Sequence, residues 1–179
     1  KAAQKDLKKK LRKAQRAFKK GEEHYQRGEF GKAAARYQQA MLLDPRNMQA
    51  KEMYQRASAG ARNERAEEHW LQGKDASMRE VWSEAAKHYK AAVECEPTRG
   101  KYYHAFGKVI WDHTMRQRTA IEMFRLAVEK EPNKLDYVLE LARAYDSVGM
   151  PSNALKAFER VAQIDPSNDD AKKALRRLR

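Results

Sequence analysis

The 179-residue chain has a single cysteine, Cys95. That excludes an intramolecular disulfide framework. A reducing compartment, the cytoplasm, is the default reading of such cysteine usage. Cys95 falls near the end of a helical stretch, where a small buried apolar role suits it better than a reactive one. No apolar run approaches 18 residues, so no membrane span is expected, and no secretion signal is visible. No run alternates with period two, so strands are not expected. The eight glycines form no phosphate-cradling loop. Paired metal-ligand spacings and a nucleophile elbow are also missing. The five histidines, His24, His69, His88, His104 and His113, are scattered and read as surface or packing residues. The sequence therefore offers no catalytic, cofactor-binding or metal-binding residue, and a non-enzymatic role is expected.

Acidic residues are also in deficit, 25 against 38 Lys and Arg, for a net charge of +13. The imbalance is terminal. Residues 1–20 hold ten Lys or Arg against Asp6 alone, and residues 171–179 hold five and no acid. The body, 21–170, is left at −1. The amino-terminal stretch reads as a helix with Leu7, Leu11, Ala14, Phe18 and Tyr25 near one face and cations elsewhere. It serves either as a solvated approach helix or as an electrostatic arm for nucleic acid or acidic lipid. No aromatic stacking set accompanies it, which ranks the nucleic-acid reading lower.

What the chain does have is a repeat, plainest in residues 135–168, LDYVLELARAYDSVGMPSNALKAFERVAQIDPSN. Val138, Leu141, Ala142 and Tyr145 share one helical face, and Ala154, Leu155, Phe158, Val161 and Ile164 share another. Gly149, Met150 and Pro151 break between them, and Asp165-Pro166 ends the second. Four copies follow this pattern. Alanine opens the second helix at Ala33, Ala85, Ala120 and Ala154; four residues on stands Tyr37, Tyr89, Phe124 or Phe158. Twelve residues after the alanine comes Pro45, Pro97, Pro132 or Pro166. A small residue, Gly21, Gly73, Gly107 or Ala142, marks the first helix, 12 or 13 residues before the alanine.

This constellation resembles the tetratricopeptide repeat, a helix–turn–helix unit of about 34 residues. The resemblance implies an all-α, right-handed solenoid of about four repeats plus a carboxy-terminal capping helix. The expected division is a basic extension at 1–13 and repeats at 14–47, 66–99, 100–134 and 135–168. A helical spacer at 48–65 and a cap at 169–179 complete it. Second helices are expected at 31–43, 80–95, 119–130 and 152–164. The spacer arises because the first two prolines stand 52 residues apart, against 35 and 34 for the others. Eighteen extra residues make five helical turns, so one helix from Met48 to Gln72, weakest at Gly60, keeps its apolar face in phase. The turn DASMREVW lacks the usual glycine, and DHTMRQRT carries one extra residue.

In such arrays the first helices line a concave groove. Three positions around the small residue share that face. They are Phe18, Glu22 and Tyr25 in repeat 1, and Trp70, Lys74 and Ser77 in repeat 2. Repeat 3 supplies His104, Lys108 and Trp111, and repeat 4 supplies Leu139, Arg143 and Asp146. Trp70 and Trp111 beside Lys74, Lys108 and Arg143 suit a partner peptide with acidic and apolar side chains. Family members that grip a terminal carboxylate place lysine and asparagine where this chain has Phe18 and Glu22, so that role is not expected. The best reading is a cytoplasmic protein-interaction scaffold, bacterial in style and cut from a larger multidomain protein. A nucleic-acid module using the basic terminal helices, and a regulatory domain of an enzyme or J-domain cochaperone beyond these residues, are the alternatives.

Overall fold

The structure is a computed structural model that describes residues 2–179. Nine α-helices and no strand occur among the described residues. They are α1 (Ala2–Gln26), α2 (Phe30–Leu43), α3 (Met48–Met78), α4 (Trp82–Cys95), α5 (Gly100–His113), α6 (Gln117–Lys130), α7 (Leu135–Ser147), α8 (Pro151–Ile164) and α9 (Asp169–Leu178). The chain divides into two compact units, Lys1–Arg65 and Ala66–Arg179. The helix α3 gives its first part to one and its last part to the other.

The repeated small residue and aromatic are one packing device. A Cβ on Gly21 would lie 2.7 Å from the Tyr37 ring, one on Gly73 2.6 Å from the Tyr89 ring, and one on Gly107 2.9 Å from the Phe124 ring. These three first helices therefore carry glycine where the aromatic of the following helix presses against backbone. Ala142 and Phe158 share a core cluster in the same relation. Tyr37 and Phe124 are almost fully buried, worth about 1.5–3 kcal/mol each in apolar transfer.

The turns explain where the second helices begin. In three of them a residue with positive φ follows the first helix: Gly28 at 74°, Gly149 at 71° and Glu80 at 60°. The next N–H reaches back five residues, from Glu29 to His24, Val81 to Ala76 and Met150 to Tyr145, each at 2.9 Å. This is the Schellman closure, in which glycine is the usual left-handed residue. In DASMREVW, Glu80 takes that conformation itself, and α4 starts two residues later than expected. The α5–α6 turn has its extra residue and closes differently. The Thr114 hydroxyl donates to the Ile110 carbonyl at 2.7 Å and accepts from the Arg116 N–H at 3.2 Å.

The similar segments DPRN and DPSN are helix starts. Asn47 accepts from the Ala50 N–H at 2.9 Å, and Asn168 from the Ala171 N–H at 3.0 Å, satisfying donors that open α3 and α9. The helix expected to end at Gln72 runs on to Met78: Gly73 does not end it, being the close-approach site for the Tyr89 ring, and the chain turns at Glu80 with its positive φ. Gly60 does not interrupt it. A Cβ there would lie 2.6 Å from the Phe30 ring, so Gly60 is a close-approach site within the first unit.

Candidate functional site

The stripe of the second unit comes from the end of α3 and from α5 and α7. Its residues differ in what they still offer a ligand. Trp70 is half-buried and packs against Ala66, Ala92 and Tyr102 on one side and Ala76, Ala85 and Tyr89 on the other. Lys74 Nζ and Lys101 Nζ stand 4.9 and 4.4 Å from its ring centroid. Lys101 also pairs with Glu67 at 2.5 Å, and Tyr102 donates to the same carboxylate at 3.0 Å. These two bonds hold the Glu67 carboxyl below its usual range. Burial and the bond to Glu67 push the Tyr102 phenol up to about 12. Trp70 is thus a packed residue roofed by lysines.

His104 was expected as a groove contact, but it is largely enclosed. Its ring stacks on Tyr137 with centroids 4.6 Å apart, and its buried Nε2 has no hydrogen-bond partner. Burial lowers its pKa, against the opposing pull of Glu140 and Asp136. Leu139 packs against the Val138–Phe158 core.

Two cations of the stripe carry carboxylate partners of their own. Lys108 donates to Asp112 at 3.1 Å. Arg143 donates to Asp170 of α9 and stands 4.0 Å from Glu140. Asp146 accepts from Arg177 of α9 at 2.5 Å. The helix α9 therefore crosses to α7 with two ion pairs and occupies Arg143 and Asp146. Two of the three stripe cations, Lys108 and Arg143, are thus engaged by carboxylates, while Lys74 lies over the Trp70 ring. Asp170 and Arg177 lie seven residues apart, on one face of α9.

Trp111 differs from Trp70. It leans on Phe124, centroids 6.3 Å apart, and borders an open pocket of about 200 Å³. Asp112, Glu140, Arg143, Ala144 and Ser147 complete the wall. The sequence named Trp111 and Arg143 here but missed Phe124 as a wall and Glu140 and Ser147 as polar rim. The pocket joins one apolar side to a rim of both charge signs, so it can take an apolar side chain with a polar neighbour.

Phe18 and Tyr25 belong to the first unit. Phe18 packs on Tyr37 at 5.3 Å between centroids, and Tyr25 meets Phe30 edge-on at 5.2 Å. Both are half-buried packing residues. Among the described residues no group of three His, Cys, Asp or Glu is placed to hold a metal ion. No helix among them is long and apolar enough to cross a membrane.

No protein-family model and no curated protein sequence matches the chain. Solved structures do. The TPR domain of Arabidopsis OM64 superposes with a TM-score of 0.59 at 20% identity, covering 66% of this chain and 97% of its own. The first TPR domain of Spaghetti (RPAP3), bound to the HSP90 peptide SRMEEVD, gives 0.59 at 18% identity, covering 65% and 91%. MamA gives 0.57 at 20% identity, covering 88% and 81%. The chain is a helix–turn–helix repeat solenoid. Its fold is that of the tetratricopeptide repeat.

Proposed function

We propose that the chain is a non-enzymatic protein-interaction scaffold acting in the cytoplasm, and that the first-helix stripe of the second unit is its partner site. The observation that carries this reading is the pocket between Trp111 and Arg143. It lies on the stripe this fold uses as a lining, and it is apolar on one wall with a mixed polar rim. Buried aromatic anchors dominate binding energy at protein interfaces. The RPAP3 domain, which is similar in fold, holds a peptide; peptide binding is proposed here by that analogy of fold alone.

The partner chemistry is an extended or helical segment with one apolar side chain for the Trp111 pocket and acidic residues beside it. The apolar half carries most of the affinity. The acidic half must exchange with Asp112 at Lys108 and with Asp170 at Arg143, and such exchange returns little net energy. A clamp for a terminal carboxylate is not proposed. The two positions that would form it are Phe18 and Glu22 in the first unit and Trp70 and Lys74 in the second.

A displayed library of random peptides, selected on the folded chain, tests the reading. Selected peptides should share an apolar residue flanked by acids and lose affinity on Trp111→Ala. Peptides that bind Trp111→Ala and the parent equally would place the site elsewhere and refute the proposal.

A further inference from the structure

The first unit holds a second surface, of different chemistry, that the peptide groove does not use. A cleft of about 570 Å³ opens between α1 and α2. Lys13, Arg16, Lys19, Lys20 and Arg36 line it against one carboxylate, Glu23. None of these five cations pairs with a carboxylate among the described residues. Only Arg36 has a side-chain partner, the neutral Gln39, at 3.2 Å. From Lys8 to Lys20, α1 carries eight cations and no acid.

Helix geometry gathers part of this run. Lys9, Lys13, Arg16 and Lys20 follow the i, i+4, i+7, i+11 spacing and so form one line along α1. That line is about 16 Å long. It lies on the side of α1 away from Leu7, Leu11, Ala14 and Phe18. Arg36 faces it from α2 across the cleft.

A run of lysines is ordinarily a solvated face. Three observations argue for more. The cations converge on a concavity from two helices. None of them is held by a carboxylate among the described residues, whereas Lys101, Lys108 and Arg143 of the second unit are. The cleft also offers no aromatic anchor, which a protein partner would want at the centre of its interface. Single-stranded nucleic acid needs aromatic platforms for its bases, and none lines the cleft. A membrane surface would require a strong apolar face beside the charge, but Leu7 and Leu11 lie on the other side. What remains is a rigid, dense polyanion. One strand of a duplex presents about five phosphates over 16 Å.

We propose that the α1–α2 cleft and the basic line leading into it bind the phosphate backbone of double-stranded nucleic acid, independently of base sequence. The test is fluorescence anisotropy of a labelled 20-base-pair DNA duplex titrated with the full chain between 50 and 200 mM salt. Affinity should fall with a log–log slope of roughly −4, as four or five neutralised phosphates require. Two duplexes of unrelated sequence should bind alike. The Lys13→Glu/Arg16→Glu/Lys20→Glu variant should lose at least tenfold in affinity at 50 mM salt. Its neutral counterpart, Lys13→Gln/Arg16→Gln/Lys20→Gln, should flatten the slope by about three units while keeping the parent circular dichroism spectrum. The Lys172→Gln/Lys173→Gln control on α9 should change nothing. The proposal is overturned if the duplex does not bind at 50 mM salt, or if the α1 variants bind as the parent does. It is also overturned if polyglutamate or anionic phosphatidylserine vesicles compete at a lower charge concentration than unlabelled duplex. Because the groove variant Trp111→Ala leaves α1 untouched, it should bind duplex normally, so this test and the peptide test fail separately.

Discussion

Lys20 in the first unit and Arg143 in the second both stand on an exposed helix face, yet their surroundings differ. Arg143 is tied to Asp170 and Glu140, as Lys108 is to Asp112 and Lys101 to Glu67. Along the α1 line none of Lys9, Lys13, Arg16 and Lys20 is paired with a carboxylate among the described residues, although Glu23 borders the cleft. The two units share the same wedge of aromatic on glycine, at Gly21 with Tyr37 and at Gly73 with Tyr89. The difference lies between the cations of the α1 line and Lys101, Lys108 and Arg143. Exposed ion pairs add only about 0–1 kcal/mol to stability. Their larger consequence is for ligands, since an arriving carboxylate must displace one already seated. A cation count along a surface therefore says little about what that surface attracts until each partner is known.

The comparison can be broken first at the cores. Phe124→Ala should destabilise the second unit by about 3–5 kcal/mol, the usual cost of emptying a packed aromatic site. Hydrogen exchange checks this. Amides of α6 should lose protection while those of α2 keep theirs, and equal loss in both would show that the units do not differ in this way. Next come two buried phenols. Tyr102 donates to Glu67, so Tyr102→Phe should cost about 1–2 kcal/mol in chemical denaturation. The buried Tyr37 hydroxyl has no partner, and Tyr37→Phe should stay within about 0.5 kcal/mol of the parent. Reversal of that order would contradict the hydrogen-bond assignment.

The turns give a smaller effect. Glu80 holds a left-handed conformation that glycine adopts freely, so Glu80→Gly should raise the melting temperature, by about 0.5–1 kcal/mol of stability. The matching change in the first unit, Gly28→Glu, should lower stability by about 1 kcal/mol. The smallest effect is the pH response. His104 is buried with a lowered pKa, so the unfolded chain binds its proton more readily. Its contribution is complete above the ordinary histidine range and is lost as pH falls through its folded pKa. Glu29 behaves differently. Bonds from Lys32 and His24 lower its carboxyl from 4.5 to about 2. Its contribution persists above pH 4.5 and fades only as pH falls toward 2. Thermal melts between pH 7 and 5 should show a decline that His104→Phe removes and Glu29→Gln leaves in place.

The sequence made much of this legible because the repeat is written in close contacts. Glycine or alanine, alanine and aromatic recur at fixed spacing, and each triplet becomes one wedge. The five-turn excess at 48–65 likewise has a direct helical consequence. Turn details were half legible: the missing glycine was visible, but not that Glu80 would take its backbone conformation. The pairings were hidden. Arg143 meets Asp170 across 27 residues, and Asp146 meets Arg177 across 31. Such contacts depend on where α9 crosses α7, which periodicity within a helix does not reveal. The α1 charge run was visible, but the part played by Arg36 needed the packing of α2.

The central functional claim is that Trp111, rather than its neighbours, receives the partner. The three indole N–H signals of Trp70, Trp82 and Trp111 in a two-dimensional ¹H–¹⁵N spectrum, followed while a selected peptide is titrated, test it most directly. The account predicts a large shift of the Trp111 signal, a smaller one for Trp70 under its lysines, and none for Trp82, which stacks on His113 outside the stripe. A Trp111 signal unmoved at saturation, with the peptide bound, would contradict it.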